Sequence, residues 1–319
     1  DRLDDAMALY DRDIAVLEAA GQEDLAEHLA LRKLTLLDEA EAYDLLESAA
    51  NEAIDSGSEA LRFAGHVGRS QALAGRGDLD AALETLGTAA QTAEDARRRE
   101  LLARRIGLLF DAARDDEARR LIEPFTAADS ADDLFFAAQA WYRAERWAEA
   151  IPLLERVIEA APEAVTPYFT LGAALERNGE IDRAVSTFES LLERMPDHAP
   201  TLNYLGYLWV DRGENLERAL ALIETAVAID PENGAYIDSL GWAHFRLGDL
   251  DDARRVLEWA GRLVVDDPTV FEHLGDVYVA LGEITSARRA YQRALDLDSD
   301  DADRIRTKLA DLEPNQDIR

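Results

Sequence analysis

Apolar residues in this chain recur three and four positions apart, the spacing of one helix face, and not in the alternation of a half-buried strand. Near the start the pattern runs through Leu25 and Leu29 into Leu34, Leu36 and Leu37. Ala and Leu, both strong helix formers, are frequent, and the β-branched runs that build buried strands are missing. The pattern predicts an all-helical chain.

The helical stretches are also self-similar. "LGWAHFRLGDLDDARRVLEWA" (240–260) overlays "LGDVYVALGEITSARRAYQRA" (274–294) at an offset of 34 residues. "LGYLWVDRGENLERALALIETA" (205–226) repeats the pattern with one extra residue in the turn. "LGAALERNGEIDRAVSTFESL" (171–191) and "AAQAWYRAERWAEAIPLLERV" (137–157) are further copies. Each copy has a small residue early, at Ala138, Gly172, Gly206, Gly241 and Gly275. Each has a later alanine, at Ala150, Ala184, Ala219, Ala253 and Ala287, and a bulky residue four on, at Leu154, Phe188, Ile223, Leu257 and Tyr291. Small residues let two helices cross closely, and bulky ones fill the space between neighbouring pairs. A single pair cannot bury its own apolar face, so the units must stack. Glycine in "NGEID", "RGENLE", "LGDLD" and "LGEIT" is expected to stop the first helix of a pair, and Pro162, Pro196 and Pro231 to prevent the second from continuing.

These landmarks resemble the tetratricopeptide repeat. The resemblance implies an all-α chain built as a right-handed α-solenoid of antiparallel helix pairs. Five repeats are assigned, 131–164, 165–198, 199–233, 234–267 and 268–301, followed by a capping helix and tail over 302–319. Residues 1–130 are read as divergent helical repeats, with one recognisable copy near 63–96 carrying Ser70, Ala82, Leu86 and Ala89 in register. "ARRIGLLFDAARDDEARRLIEPF" (103–125) is a degenerate copy with shifted spacing.

Composition narrows the function. With 66 acidic against 34 basic residues the formal net charge is −32, which repels phosphate backbones and disfavours nucleic acid as a partner. The densest basic stretch, "RRRELLARR" (97–105), scatters around its helix and is expected to pair with nearby acids. There are no cysteines, so disulfides and thiolate chemistry are excluded, and no apolar run is long enough to span a bilayer. The opening "DRLDDAMALY", with neither initiator Met nor leader, reads as the cut edge of a longer precursor, so that any signal or lipid anchor is expected in the missing segment.

"AYIDSLGWAHF" (235–245) places Asp238, Ser239 and His244, the residue types of a hydrolase triad, within seven residues. Their register argues against catalysis. Ser239 and His244 lie five residues apart on one helix and do not share a face, and no nucleophile elbow surrounds them. His244 stands where other copies hold Trp141, Leu175, Trp209 and Tyr278, a packing position. "DLDSDDAD" (296–303) has Asp301 where a calcium loop needs Gly, and His273 with Asp276 lacks a third ligand. No catalytic residue, metal site or cofactor is assigned.

In a repeat of this family the first helix lines the inner groove. The resemblance therefore assigns partner binding to Phe135, Gln139, Tyr142, Arg143, Phe169, Arg177, Asn203, Tyr207, Asp238, Trp242, Phe245, Arg246, Glu272 and Asp276, with Glu176 and Asp211 beside them. Rings interspersed with polar groups have the composition of a peptide-binding surface. The expectation is a non-enzymatic scaffold or adaptor for a protein or peptide segment. The C-terminal third is similar to bacterial exported or lipid-anchored adaptors, some of which assist processing proteases. That implies a periplasmic or outer-membrane-associated role, with a cytoplasmic one as the alternative. Two other readings stay open: a self-assembling homo-oligomeric solenoid, and the recognition arm of a larger enzyme.

Overall fold

The periodic segments are helices throughout. The computed structural model describes residues 2–297 and 302–312, and among these the chain forms eighteen α-helices and no strand. Two compact units divide it, Asp1–Glu163 and Ala164–Arg319. Unit one holds α1 (Arg2–Ala19), α2 (Glu23–Glu39), α3 (Tyr43–Ile54), α4 (Glu59–Gly75), α5 (Leu79–Thr92), α6 (Asp95–Asp111), α7 (Asp115–Thr126), α8 (Ala131–Arg143) and α9 (Trp147–Ala160). Unit two holds α10 (Val165–Arg177), α11 (Ile181–Arg194), α12 (Ala199–Arg212), α13 (Leu216–Ile229), α14 (Gly234–Leu247), α15 (Leu250–Leu263), α16 (Pro268–Ala280), α17 (Ile284–Asp296) and α18 (Ala302–Asp311). No helix among the described residues is long and apolar enough to cross a membrane.

Within each unit a helix packs mainly on its sequence neighbours. Alternate helices also touch: α2 with α4 and α4 with α6 in unit one, α12 with α14 and α14 with α16 in unit two. This is solenoid stacking, in which each pair buries its face against the next. The helix pairs of the assigned repeats begin at Ala131, Val165, Ala199, Gly234 and Pro268. The N-terminal stretch without repeat landmarks forms α1 to α3, and its core gathers Met7, Leu34, Leu37, Leu46 and Ala50.

The crossing inside each pair explains the small residue. A Cβ at Gly206 would stand 2.6 Å from Ile223 Cγ1 and 3.0 Å from the Ala219 carbonyl oxygen. At Gly275 it would come 2.2 Å from Cε1 of Tyr291, which is fully packed in the core. In the copy at 63–96 the position is Ser70, whose hydroxyl donates to the Ala82 carbonyl at 3.1 Å across the same crossing. The glycine turns form as expected, with Gly179, Gly213, Gly248 and Gly282 at φ between 70° and 89°. Pro162, Pro196 and Pro231 each lie two residues past the end of α9, α11 and α13. Side-chain caps start several helices: Ser58 accepts from the Leu61 amide and Asn233 from the Tyr236 amide.

The arginine-rich stretch on α6 is dispersed among acids. Arg98 pairs with Asp95 at 2.9 Å, Arg104 with Glu100 at 3.1 Å, and Arg99 with Asp133 of α8 at 2.5 Å, while Arg97 pairs with Glu59. The first two join positions three and four apart on one exposed helix and add little stability.

Gly206→Val is expected to destabilise the protein by about 1–3 kcal/mol, because the added methyls meet backbone that cannot move aside. Gly107→Ala, in the middle of α6 with open space around the new Cβ, is expected to stabilise it by about 0.5–1 kcal/mol. Urea unfolding midpoints of the two variants check both signs.

Candidate functional site

The first helices of the unit-two pairs, α10, α12, α14 and α16, carry most of the assigned binding residues, and α18 packs beside the last. Asn203, Tyr207 and Asp211 follow one another at successive turns of α12, as Asp238, Trp242 and Arg246 do on α14. Glu272 and Asp276 continue the row on α16. The structure brings these stripes together. Tyr207 is half-buried, and its hydroxyl feels Asp211, Asp238 and Glu272 as well as Arg304 of α18. Burial first, then the carboxylates, push it up to about 12.

The centre of the cluster is a buried pair that the sequence reading missed. Nδ1 of His273 lies 3.0 Å from both carboxylate oxygens of Asp238, and both side chains are almost fully enclosed. The Trp242 ring stacks on the imidazole, with centroids 4.2 Å apart and planes at 13°, and on Phe245 at 4.8 Å and 22° on the other side. Burial opposes the imidazolium, but Asp238, by charge and hydrogen bond, together with Asp276 and Glu272 outweighs it and raises the pKa of His273 above its ordinary value. Asp238 therefore turns onto the next repeat and does not stand free in the groove.

Glu272 is likewise committed. It is buried and receives Arg304 at 2.9 Å and Lys308 at 2.7 Å, both from α18. Asp276 accepts from Lys308 at 2.7 Å and from the Tyr291 hydroxyl at 2.6 Å. Other polar groups keep unused capacity. Oδ1 of Asn203 and Nε1 of Trp242 are shielded atoms with no hydrogen-bond partner. Arg246 donates to the Asp211 carbonyl at 2.8 Å and lies 5.9 Å from the Trp242 ring centroid.

Phe169 of α10 belongs to a separate ring cluster, 5.9 Å from Phe188 and 5.6 Å from Tyr204, while Arg177 near the end of α10 is exposed. The remaining assigned residues belong to unit one. Tyr142 meets Trp147 edge-on at 4.9 Å. Gln139 and Arg143 line a cavity of about 240 Å³ with Arg99, Glu100 and Phe136, and Phe135 is half-buried.

The triad residues go separate ways. The Ser239 hydroxyl donates to the Ala235 carbonyl at 3.0 Å, Asp238 binds His273, and His244 Nδ1 lies 3.7 Å from Asp249. No group of three or more His, Asp or Glu among the described residues could hold a metal. The acidic segment at 296–303 falls partly outside the described residues.

Comparison with known proteins agrees with the helix register. The sequence profiles described as tetratricopeptide repeat match residues 64–88, 142–205 and 239–302. The chain carries tetratricopeptide repeats. A TPR repeat-containing protein of Pseudomonas aeruginosa (PA4667) is 29% identical over 160 residues, 49% of this chain and 27% of that protein. The Arabidopsis thaliana protein CTR9 homolog is 39% identical over 79 residues, 25% of this chain and 7% of that one. The chain thus spans about a quarter of the first relative and under a tenth of the second. Among solved structures, TTC0263, a thermophilic TPR protein of Thermus thermophilus, is similar at 22% identity with a TM-score of 0.49, covering 57% of this chain and 98% of that one. MamA of Desulfovibrio magneticus RS-1 is similar at 22% identity and a TM-score of 0.48, covering 54% and 96%.

In tetratricopeptide register Asp238 is the fifth residue of its repeat and His273 the sixth of the next. The pair is thus a joint between two consecutive repeats. The unfolded chain titrates this imidazole near 6.5 and the folded chain above it, so the folded state holds the proton more tightly. Stability from the joint is complete below that value and is lost as pH rises through the folded pKa. Asp238→Ala is expected to cost about 1–3 kcal/mol and to abolish this alkaline loss. Urea midpoints across the pH range, for wild type and variant, measure it.

Proposed function

We propose that this chain is a non-enzymatic protein-interaction scaffold that binds a segment of a partner on the inner face of unit two. The observation that carries the reading is the row formed by Tyr207, Trp242, Phe245 and Arg246. It combines stacked rings and a guanidinium on side chains that stay partly exposed. Trp, Tyr and Arg are the residue types that dominate binding energy where they sit rigidly in partly desolvated surroundings. Here the stacking on His273 holds the Trp242 ring, so little side-chain freedom is lost when a partner docks. The tetratricopeptide repeats support the same class of function. The finer reading, which rests on the resemblance read from the sequence of the C-terminal third, is an adaptor of the bacterial envelope serving a protease or an assembly complex.

Affinity capture from cells of the source organism, read by mass spectrometry, tests the scaffold. Replacing Tyr207 and Arg246 together by Ala is expected to weaken retention of the captured partner at least about tenfold while the helical circular-dichroism signal persists. Trp259→Ala, a partly exposed ring on α15, is expected to leave capture unchanged. Capture that survives the double substitution and fails with Trp259→Ala sinks the inner-face reading. Fractionation of those cells decides the envelope reading separately.

A further inference from the structure

Three of the four junctions between successive first helices and α18 in unit two share one device, while α12 and α14 are linked by Arg246 donating to the Asp211 main-chain carbonyl. In the shared device a carboxylate on one helix accepts from a cationic or polar group on the next. Glu176 of α10 accepts from the Tyr204 hydroxyl of α12 at 3.0 Å, and Asp238 of α14 holds His273 of α16. At the last joint Glu272 of α16 holds Arg304 and Lys308 of α18. The joints α10–α12 and α14–α16 lie between complete helix pairs, but the last lies between a pair and a single helix.

That last helix is a docked segment. At ten residues α18 is too short to be stable alone in water. One fully buried side chain, Ile305, anchors it among Ala287, Tyr291 and Ala294, with Leu309 and Leu312 packed on the same side. One turn apart on an adjacent face, Arg304 and Lys308 reach the carboxylates of α16. Lys308 takes Glu272 at 2.7 Å and Asp276 at 2.7 Å, and its ammonium lies 5.9 Å from the Tyr291 ring centroid. Among the described residues, the hydrogen-bond partners of the Glu272 carboxylate both belong to α18. The socket is therefore half-formed without an incoming helix. It has an apolar floor ending in Tyr291 and, at its rim, the Glu272 carboxylate, which α18 supplies with its two cations.

Charge complementarity defines what else fits there. We infer that the face covered by α18 is a docking site for an amphipathic helix of a partner protein, with two cationic residues one turn apart beside an apolar seam. This is helix-in-groove recognition, with α18 as its intramolecular occupant. The tether gives α18 a high effective concentration, so a partner helix engages only by outcompeting it. The site adjoins the inner-face row, since Glu272 and Arg304 act on the Tyr207 hydroxyl, but its apolar seam is formed by Ala287, Tyr291 and Ala294 of α17 and not by Tyr207, Trp242 or Arg246.

The test uses the full chain with Ile305→Asp, which expels α18 without altering the face it leaves. The probe is a fluorescently labelled peptide of residues 302–312. Anisotropy is expected to show binding to this variant and at least about tenfold weaker binding to wild type, where the site is filled. A peptide with Glu at both cationic positions is expected to lose at least about tenfold, because it removes the charge-assisted bonds to a buried carboxylate. A peptide of unrelated sequence that keeps only the cation pair and apolar seam is expected to bind within a few-fold of the native one. No binding to the opened chain, or equal binding of the charge-reversed peptide, overturns the inference. So does a wild-type dimer that the peptide dissolves, since the occupant is then a second copy. Should Ile305→Asp unfold unit two, amide hydrogen exchange on wild type takes its place. Exchange of 302–312 ahead of α16 and α17, hastened by excess peptide, supports the site, and exchange in step with α17 overturns it.

Discussion

The crossing of the two helices within a pair governs everything else in unit two. At Gly206 and Gly241 the space for a Cβ is taken not only by side chains but by backbone, the Ala219 carbonyl oxygen at 3.0 Å and the Leu257 amide nitrogen at 3.2 Å. Backbones this close leave the pair little freedom to slide or rotate, because packed cores do not deform continuously. The orientation of the first helix is then set, and with it the face that turns inward. Asn203, Tyr207 and Asp211 share a stripe because Leu205, fully buried, is pinned to the opposite side.

The pair geometry leaves open how one pair meets the next, and here polar contacts add to the apolar ones. Ile237, Val256, Ala260 and Val270 bury the bulk of one joint, an undirected contact that tolerates some sliding. The Asp238–His273 bond, with Trp242 stacked on the imidazole, adds direction to it. Such a buried pair is weak evidence for net stability, since desolvation opposes it; what it adds is register. The device suits an acidic chain. Most carboxylates face water and repel one another, while those turned onto the next repeat have found a proton-holding or cationic group.

Much of this was legible in the sequence where a single residue type solves a steric problem. Gly172, Gly206, Gly241 and Gly275 mark the crossings because no larger residue fits, and Gly179 or Gly248 marks a left-handed turn because other residues enter it at a cost. Glu41, Ala113 and Glu145 make the corresponding turns in unit one with positive φ of 51°, 55° and 57°. Those turns carry no glycine, so the pairs α2–α3, α6–α7 and α8–α9 lack that landmark. The candidate site was less legible. Repeat register places Asp238 and Glu272 on the inner stripe, but it says nothing of partners 32 to 36 residues away. A histidine at the position after a carboxylate-bearing row, and a cation pair at 304 and 308, were the available signals. Both require knowing which residue of one repeat faces which residue of the next.

The inner stripe therefore contains two populations that sequence alone makes look alike. Asp238, Glu272 and Asp276 are occupied in holding one helix to the next, and their chemistry is already satisfied. Tyr207, Phe245 and Arg246 are only partly enclosed. A protein built by stacking must commit some of its inward polar residues to the stack, because an unsatisfied group at a joint would weaken every repeat beyond it. What remains is the surface open to partners. "AYIDSLGWAHF" shows the division within one helix: Asp238 and Ser239 serve the fold, while Trp242 and Phe245 each pack on the joint, through His273 and through the Leu257–Leu274 core, and keep only part of their rings exposed.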